Sequence, residues 1–357
     1  MKIVQVCPRY YPDIGGVETH VQEISERLAS RGFEVEVLCT DPTGKRRDTE
    51  VINGVSVRRF RSFAPNNAFF FAPQIYSHLK RVNCDLIHAH SYHALPAFFA
   101  AMAKDDRRFV FTPHYHGRGH TRARNFLLKP YKFLGSKIFE SADKVIFDSL
   151  YERSLAERDF NIPPQKTDRI MCGINLSEFQ GGRRERDAQK ILYVGRLEEY
   201  KGVQHIIEAL PSLRDYRLVI VGQGPYEDEL KNLAKDLAVG DRVEWLKNLS
   251  REDLLDHYRS AGVFVMLSSF EAFGITVAEA LASGTPCIVA TGSALEEFVD
   301  GKACLGIKRP INIKELVEKI EELSGEKVSG SDLLSEKIKS WDEVASLHEI
   351  LYKELLM

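Results

Sequence analysis

Short runs of consecutive apolar residues alternate along the chain with longer stretches whose apolar positions recur every three or four residues. In the first half, the runs from Ile3 to Cys7, Glu34 to Cys39, Leu86 to Ala89, Phe109 to Thr112 and Val145 to Phe147 read as buried strands, and Val17 to Ser30 as an amphipathic helix. A polar segment, Gly181-Gly182-Arg-Arg-Glu-Arg-Asp187, then reads as a connector. The same alternation restarts beyond it, with strands expected at Ile191–Val194, Leu218–Val221, Val243–Leu246, Val263–Leu267 and Cys287–Ala290. Strands separated by helices imply parallel sheets covered on both faces. The expected fold class is therefore α/β, with two doubly wound, Rossmann-like lobes facing a central cleft. The lobes are expected at residues 1–179 and 180–335, followed by an amphipathic helix within 336–357 that returns to the first lobe.

Length agrees with two lobes, because 357 residues exceed what one ordinary core organises. A formal charge of -2 gives no nucleic-acid footprint, so no nucleic-acid partner is expected. No stretch approaches the roughly 20 apolar residues needed to span a bilayer, and Met1-Lys-Ile-Val starts directly as a strand with no room for a signal peptide. A cytoplasmic protein is the expectation. The six cysteines have no close pair of the kind that binds zinc or exchanges disulfides. His88, His90, His93, His114, His116 and His120 cluster in one short region, but no Cys or acidic ligand spacing accompanies them, and the expected metal site is none.

The chemistry concentrates in the second half. Glu271-Ala-Phe-Gly-Ile-Thr-Val-Ala-Glu279 straddles the end of an apolar strand and the start of a helix over Thr276 to Ser283. The loop lets Glu271 fold over the helix N-terminus while Glu279 sits about a turn inside it. An anion between them would meet unpaired amides near Phe273, Gly274 and Ile275 at the positive end of the helix dipole. Arg196 follows the strand ending at Gly195, and Lys201 lies five residues on, so both cations stand outside the carboxyl end of a parallel strand, where α/β sheets bind ligands. A fork and a point charge of this kind converge well on a diphosphate. The nicotinamide fingerprint is not met, because Gly15-Gly16-Val-Glu18 lacks the third glycine and Gly222-Gln-Gly224 is followed by Pro225-Tyr226-Glu227. No Asp-x-Asp triplet is present to carry a divalent cation on a diphosphate.

In order along the chain, Gly15-Gly16-Val-Glu18, His88-Ala-His90, Phe111-Thr-Pro-His114, Val194-Gly-Arg196 with Lys201-Gly202, Gly222-Gln-Gly224, Glu271 to Glu279 and Ala282-Ser-Gly-Thr-Pro286 resemble the motifs of family 4 glycosyltransferases of the GT-B fold. The resemblance implies a retaining, metal-independent transferase with a nucleotide diphosphate sugar as donor, a glycan or lipid-linked acceptor, and no cofactor. It implies that His114, Arg196, Lys201 and Glu271 serve catalysis. Gly15, Gly16, Gly222, Phe273, Gly274, Ile275 and Glu279 would join Arg196, Lys201 and Glu271 in holding the donor, with Glu279 on the ribose hydroxyls. A catalytically silent nucleotide-sugar-binding module and a nucleotide-sugar epimerase are the competing readings.

The acceptor side rests on a basic stretch without an acidic residue from Arg107 to Phe139, in which Tyr115, His116, Arg118 and Arg122 are candidate contacts. Such a stretch suits an anionic membrane surface or a phosphorylated acceptor, and equally a core helix with a basic rim. At the hinge, Met171-Cys172-Gly173-Ile174-Asn175 keeps only the glycine of the usual Pro-Asn-Gly-Val-Asp, and Leu267 stands where a proline usually precedes Ser268.

Overall fold

The computed structural model describes residues 1–117, 122–179, 185–324 and 337–357, with the side chains of 66 and 122–130 left out. Two compact units are formed, one by residues 1–173 with 341–357 and the other by 174–340. The expected divisions at 179/180 and 335/336 adjoin residues outside the described set.

The first unit holds an eight-stranded sheet in the order Thr49–Ile52, Val55–Arg61, Glu34–Asp41, Lys2–Val6, Leu86–His90, Arg108–Thr112, Lys144–Phe147 and Thr167–Arg169. All neighbours are parallel except the first pair, an antiparallel hairpin. That hairpin turns on Asn53 and Gly54, both at positive φ (48° and 83°), the geometry of a two-residue turn that Asn-Gly favours. It corrects the purely parallel expectation. The long helix Trp341–Leu356 packs on Gly16–Ser30, where Arg31 donates to the Asp342 carbonyl at 2.9 Å and to Ser346 Oγ at 3.0 Å.

The second unit is a six-stranded parallel sheet in the order Val243–Leu246, Arg217–Val221, Asp187–Val194, Ala261–Met266, Cys287–Ala290 and Cys304–Ile307. Sheet order reverses direction at the 187–194 and 261–266 pair, a topological switch point of the kind that opens a crevice at the strand ends. Ile191, Leu192, Val263 and Phe264 are fully buried on these central strands, each contributing about 1.5–3 kcal/mol by leaving water. The central strand starts two residues earlier than expected, at Ala261, because Gly262 lies flat against the backbone of Asp187 and Ala188. Among the described residues no helix is long and apolar enough to cross a membrane.

Candidate functional site

At the carboxyl ends of the second unit's central strands, three loops are fastened together by backbone. Gly195 N donates to the Val221 carbonyl at 3.0 Å, Leu197 N to the Gln223 carbonyl at 3.1 Å, and Ser269 N to the Tyr200 carbonyl at 2.8 Å. Gly222 has no room for a side chain, since a Cβ there would stand 1.9 Å from the Gly195 carbonyl oxygen. The close approach aligns the Arg196 loop with the Gly222 turn, and the Ser269 bond aligns it with the loop carrying Glu271.

The result is a direct pairing of two sequence-predicted residues. Lys201 Nζ donates to Glu271 Oε1 at 2.5 Å, and both side chains are more than four-fifths buried. Burial lowers the Lys201 pKa, but the Glu271 carboxylate outweighs it and holds the ammonium above its ordinary value. Arg196 is more exposed and pairs with Glu198 Oε1 at 2.5 Å. Gly274 caps the Ile275–Ala282 helix with φ 115°, a left-handed conformation that suits glycine, directly beside the Glu271 loop. The Phe273 ring turns inward against Phe298 at 5.3 Å between centroids, so it anchors the loop and leaves only its backbone for a ligand. The helix begins at Ile275, one residue before the expected start and four residues after Glu271, so its unpaired first-turn amides follow directly on the loop that carries Glu271.

Glu279 is the buried member of the site. Its Oε2 accepts from the Tyr258 hydroxyl at 2.9 Å and its Oε1 faces Arg251 at 2.7 Å. Arg251 also grips Glu178, at 2.8 Å from Nε and 2.7 Å from its terminal nitrogen. Neither Arg251 nor Tyr258 stood out in the sequence, although their spacing of seven on one helix, which places them on one face, was a usable signal.

The first unit gathers histidines instead. His88 Nδ1 meets the Tyr352 hydroxyl at 2.6 Å and its Nε2 meets Thr112 Oγ1 at 2.8 Å, while His90 Nε2 meets Gln5 Oε1 at 2.8 Å. His20 and His348, from the first and last helices, complete the group with ring centroids 5.9 Å apart. Burial pushes the pKa values of His20, His88 and His90 well below the ordinary histidine value, and that of His348 down to about 4. The imidazoles are thus neutral. His20, His90 and His114 offer ligand atoms within 4.8 Å of one another, as do His20, Asp148 and Cys172, whereas tetrahedral zinc would draw its nitrogens to about 3.3 Å.

His114, at φ 46°, donates Nδ1 to the buried Asp148 at 2.6 Å, and its Nε2 is buried toward the histidine group. Burial raises the Asp148 carboxyl, but the His114 and His20 rings outweigh that and hold it below the ordinary carboxylate range. Gly15 and Gly16 open the first helix, where the buried Glu18 pairs with Arg9 at 2.8 Å. Tyr115 is occupied on both sides, its amide by Glu152 at 2.5 Å and its hydroxyl by Asp159 at 2.7 Å. His116 stacks on His93 at 4.2 Å. Arg118 and His120 lie outside the described residues, as does the Arg122 side chain.

Two family models divide the chain close to the unit boundary: Glycosyltransferase Family 4 matches residues 14–178 and Glycosyl transferases group 1 matches residues 177–340. The chain is 30% identical to an uncharacterized glycosyltransferase of Methanocaldococcus jannaschii, over 84% of this chain and 83% of the relative. It is 27% identical to the alpha-monoglucosyldiacylglycerol synthase of Streptococcus pneumoniae, over 85% of this chain and 74% of that enzyme. In fold it is similar to Anabaena HepE, solved in complex with UDP, with TM-score 0.76, 16% identity and 99% of each chain covered. Ordered motifs, two α/β units and these likenesses agree: the chain belongs to the group 1, family 4 glycosyltransferases, enzymes of the GT-B fold.

Proposed function

We propose that this glycosyltransferase moves a hexosyl group from a nucleotide diphosphate sugar to a hydroxyl of a glycan or lipid-linked acceptor, with retention at the anomeric carbon and without an obligatory metal. The observation that carries the reading is the buried Lys201–Glu271 pair beside the N-terminus of the Ile275–Ala282 helix, with Glu279 further along that helix. Such a set offers a cation and helix amides to a diphosphate and carboxylates to hydroxyls on either side of it. As the bond from the anomeric carbon to the β-phosphate oxygen breaks, charge grows on that oxygen. Lys201 and Arg196 stabilise it, which leaves a divalent cation without a necessary task. The acceptor oxygen bonds to the anomeric carbon on the same face, and its proton passes to the departing phosphate oxygen. The pneumococcal relative's name, a synthase of a glucosylated diacylglycerol, supports a lipid hydroxyl as one acceptor class.

The test is nucleoside diphosphate release from UDP-, GDP- and ADP-sugars with diacylglycerol or polyprenyl-linked acceptors, in chelator-treated buffer. One donor should turn over, and Arg196→Ala should slow it by about a hundredfold or more. Donor binding without release under any acceptor would support the silent module. A free isomerised sugar would identify an epimerase. A wild-type protein that binds none of UDP, GDP and ADP would sink the reading.

A further inference from the structure

We propose that Arg251, assisted by Tyr258, is a positioning residue that holds the Glu279 carboxylate as a two-hydroxyl acceptor and so sets how strongly the site discriminates a ribonucleotide donor from its deoxy counterpart. This rests on the reading above, in which Glu279 takes the ribose. An ionised carboxylate accepts about four hydrogen bonds, two at each oxygen. Among the described residues each Glu279 oxygen has one donor from the protein, Arg251 on Oε1 and the Tyr258 hydroxyl on Oε2. Each oxygen keeps an acceptor position, and two adjacent acceptors match a vicinal diol.

Both donors come from one rigid element. Ser250 caps the Arg251–Ser260 helix through Asp253 N at 3.1 Å, and Arg251 and Tyr258 are seven residues apart on it. At 3.6 residues per turn, that separation returns to within about 20° of the same direction. Tyr258 is fully buried, with its backbone carbonyl accepting from Thr285 Oγ1 at 2.5 Å. Arg251 is fixed from behind by Glu178 and lies over the Phe179 ring at 5.6 Å. The guanidinium therefore cannot swing away from Glu279 without leaving a second carboxylate. Burial lowers the Arg251 pKa, but Glu279 and Glu178 outweigh it, and the group stays charged.

Glu279 is 8% exposed, so its charge needs that partner. The groups facing it from the surrounding elements are few among the described residues. The helix Leu176–Phe179 contributes Glu178, which shares Arg251 with Glu279, and the helix Arg251–Ser260 contributes Arg251 and Tyr258. The strand Ala261–Met266 contributes no titratable side chain. The strand Cys287–Ala290 contributes Cys287, whose thiol burial pushes up and keeps neutral. With Arg251 removed, only the Tyr258 hydroxyl among these groups would hold the carboxylate, and Oε1 would lose the contact that fixes it where it matches the diol.

The experiment is calorimetric titration of UDP, GDP and ADP, each beside its 2′-deoxy form, into wild type, Arg251→Met, Arg251→Lys and Tyr258→Phe. Wild type should prefer the ribonucleotide by about tenfold or more, the scale of a hydrogen bond to a charged acceptor. Arg251→Met should bring the preference close to unity, chiefly by weakening the ribonucleotide. Arg251→Lys should restore part of it, and Tyr258→Phe should reduce it less than Arg251→Met. Equal weakening of ribo and deoxy forms, or an unchanged ratio, would overturn the assignment and leave the transferase reading standing. So would a wild type that binds nucleotides without discriminating the sugar. A wild type that binds none of them takes down both. Melting of each ligand-free variant separates a misfolded protein from a mispositioned carboxylate.

Discussion

In the first unit, the polar side chains at the carboxyl ends of the strands are chiefly neutral imidazoles held by hydroxyls, an amide and one another, with the buried Asp148 carboxylate paired to His114 beside them. In the second, the corresponding positions carry carboxylates paired with an ammonium or a guanidinium. The sheets are built alike, yet they store polarity differently. Neutral rings can be buried at the cost of ordinary hydrogen bonds, whereas buried charges need a partner within reach. A paired charge is also a group that an incoming ligand of the right sign can share. On the proposed reading, the paired charges of the second unit serve anion and hydroxyl recognition, while the imidazoles of the first fill its interior, with His114 at their margin.

The sharpest way to break this contrast is to remove the cation of the buried pair. Lys201→Ala leaves Glu271 buried without its ammonium and, on the proposed mechanism, removes a donor to the leaving diphosphate. Sugar transfer should fall by about a hundredfold to a thousandfold. The matching change in the first unit, His88→Gln, replaces a neutral group that meets Tyr352 and Thr112, and should change the transfer rate far less than it changes the melting temperature. Equal losses of activity from the two would show that the units do not divide their tasks in this way.

A second test addresses how the paired site is framed. Gly222→Ala would place a methyl group 1.9 Å from the Gly195 carbonyl oxygen, and backbone must move to admit it. A loss of about 3 kcal/mol in chemical unfolding is expected, the upper end for overpacking. Gly16→Ala, which meets nothing within 4 Å, should be close to neutral and serves as the control from the first unit.

The third test turns on pH. His20, His88, His90 and His348 have native pKa values depressed by burial below the unfolded histidine value of 6.5, with His348 down to about 4. Between those values the unfolded chain binds protons that the native unit refuses, so stability is fully present above pH 6.5 and is lost as pH falls toward 4. Each tenfold difference in proton affinity between the two states is worth about 1.4 kcal/mol. In the second unit, His257 is depressed in the same way but is only partly buried. Amide exchange in strands 2–6 and 86–90 should therefore accelerate on acidification before that in strands 187–194 and 261–266. Simultaneous loss would show that the acid response is not set by the histidine interior.

These tests also mark what the sequence disclosed. The alternation of apolar runs and helical stretches identified most of the parallel strands, because buried parallel strands are apolar on both faces. The hairpin at Asn53–Gly54 and the edge strands Thr167–Arg169 and Cys304–Ile307 escaped that reading. Thr167–Arg169 is three residues long and polar, Cys304–Ile307 is four long and broken by Gly306, and the hairpin strands mix polar and apolar residues, so that only the Asn-Gly pair announced any of them. Lys201 and Glu271 were legible as candidates, but their contact depends on the Tyr200–Ser269 backbone bond across 69 residues of chain, which no local pattern encodes. Arg251 and Tyr258 were overlooked for a related reason: their spacing shows a shared helix face, but their meaning comes from the Glu279 that another helix places opposite them. The histidines were legible as a cluster between 88 and 120, yet His20 and His348 joined it through folding, from opposite ends of the chain.

Lys190 offers the subtlest test of the contrast, because it is a buried cation in the second unit whose close partners are neutral. It is 4% exposed, with Nζ 2.8 Å from Ser260 Oγ, 3.3 Å from the His257 carbonyl and 3.1 Å from His257 Nδ1. Burial and then the Arg217 charge lower its pKa from 10.5 to about 8. Because the native value lies below the unfolded one, the unfolded chain holds the extra proton between them. Wild-type stability should therefore gain from this group as pH rises from about 8 to 10.5, and the cost of its charge is full below about 8. Lys190→Met removes both the charge and the contacts with Ser260 and His257. At pH 7 it should be more stable than wild type by about 1 kcal/mol, as replacements of poorly compensated buried charge often are. By pH 10 the uncharged wild-type lysine keeps its contacts without the penalty, and the advantage should vanish. A wild type that is the more stable at both pH values would mean that a hydroxyl, a carbonyl and an imidazole suffice to hold a buried ammonium, and that carboxylate pairing in this unit serves the ligand rather than the fold.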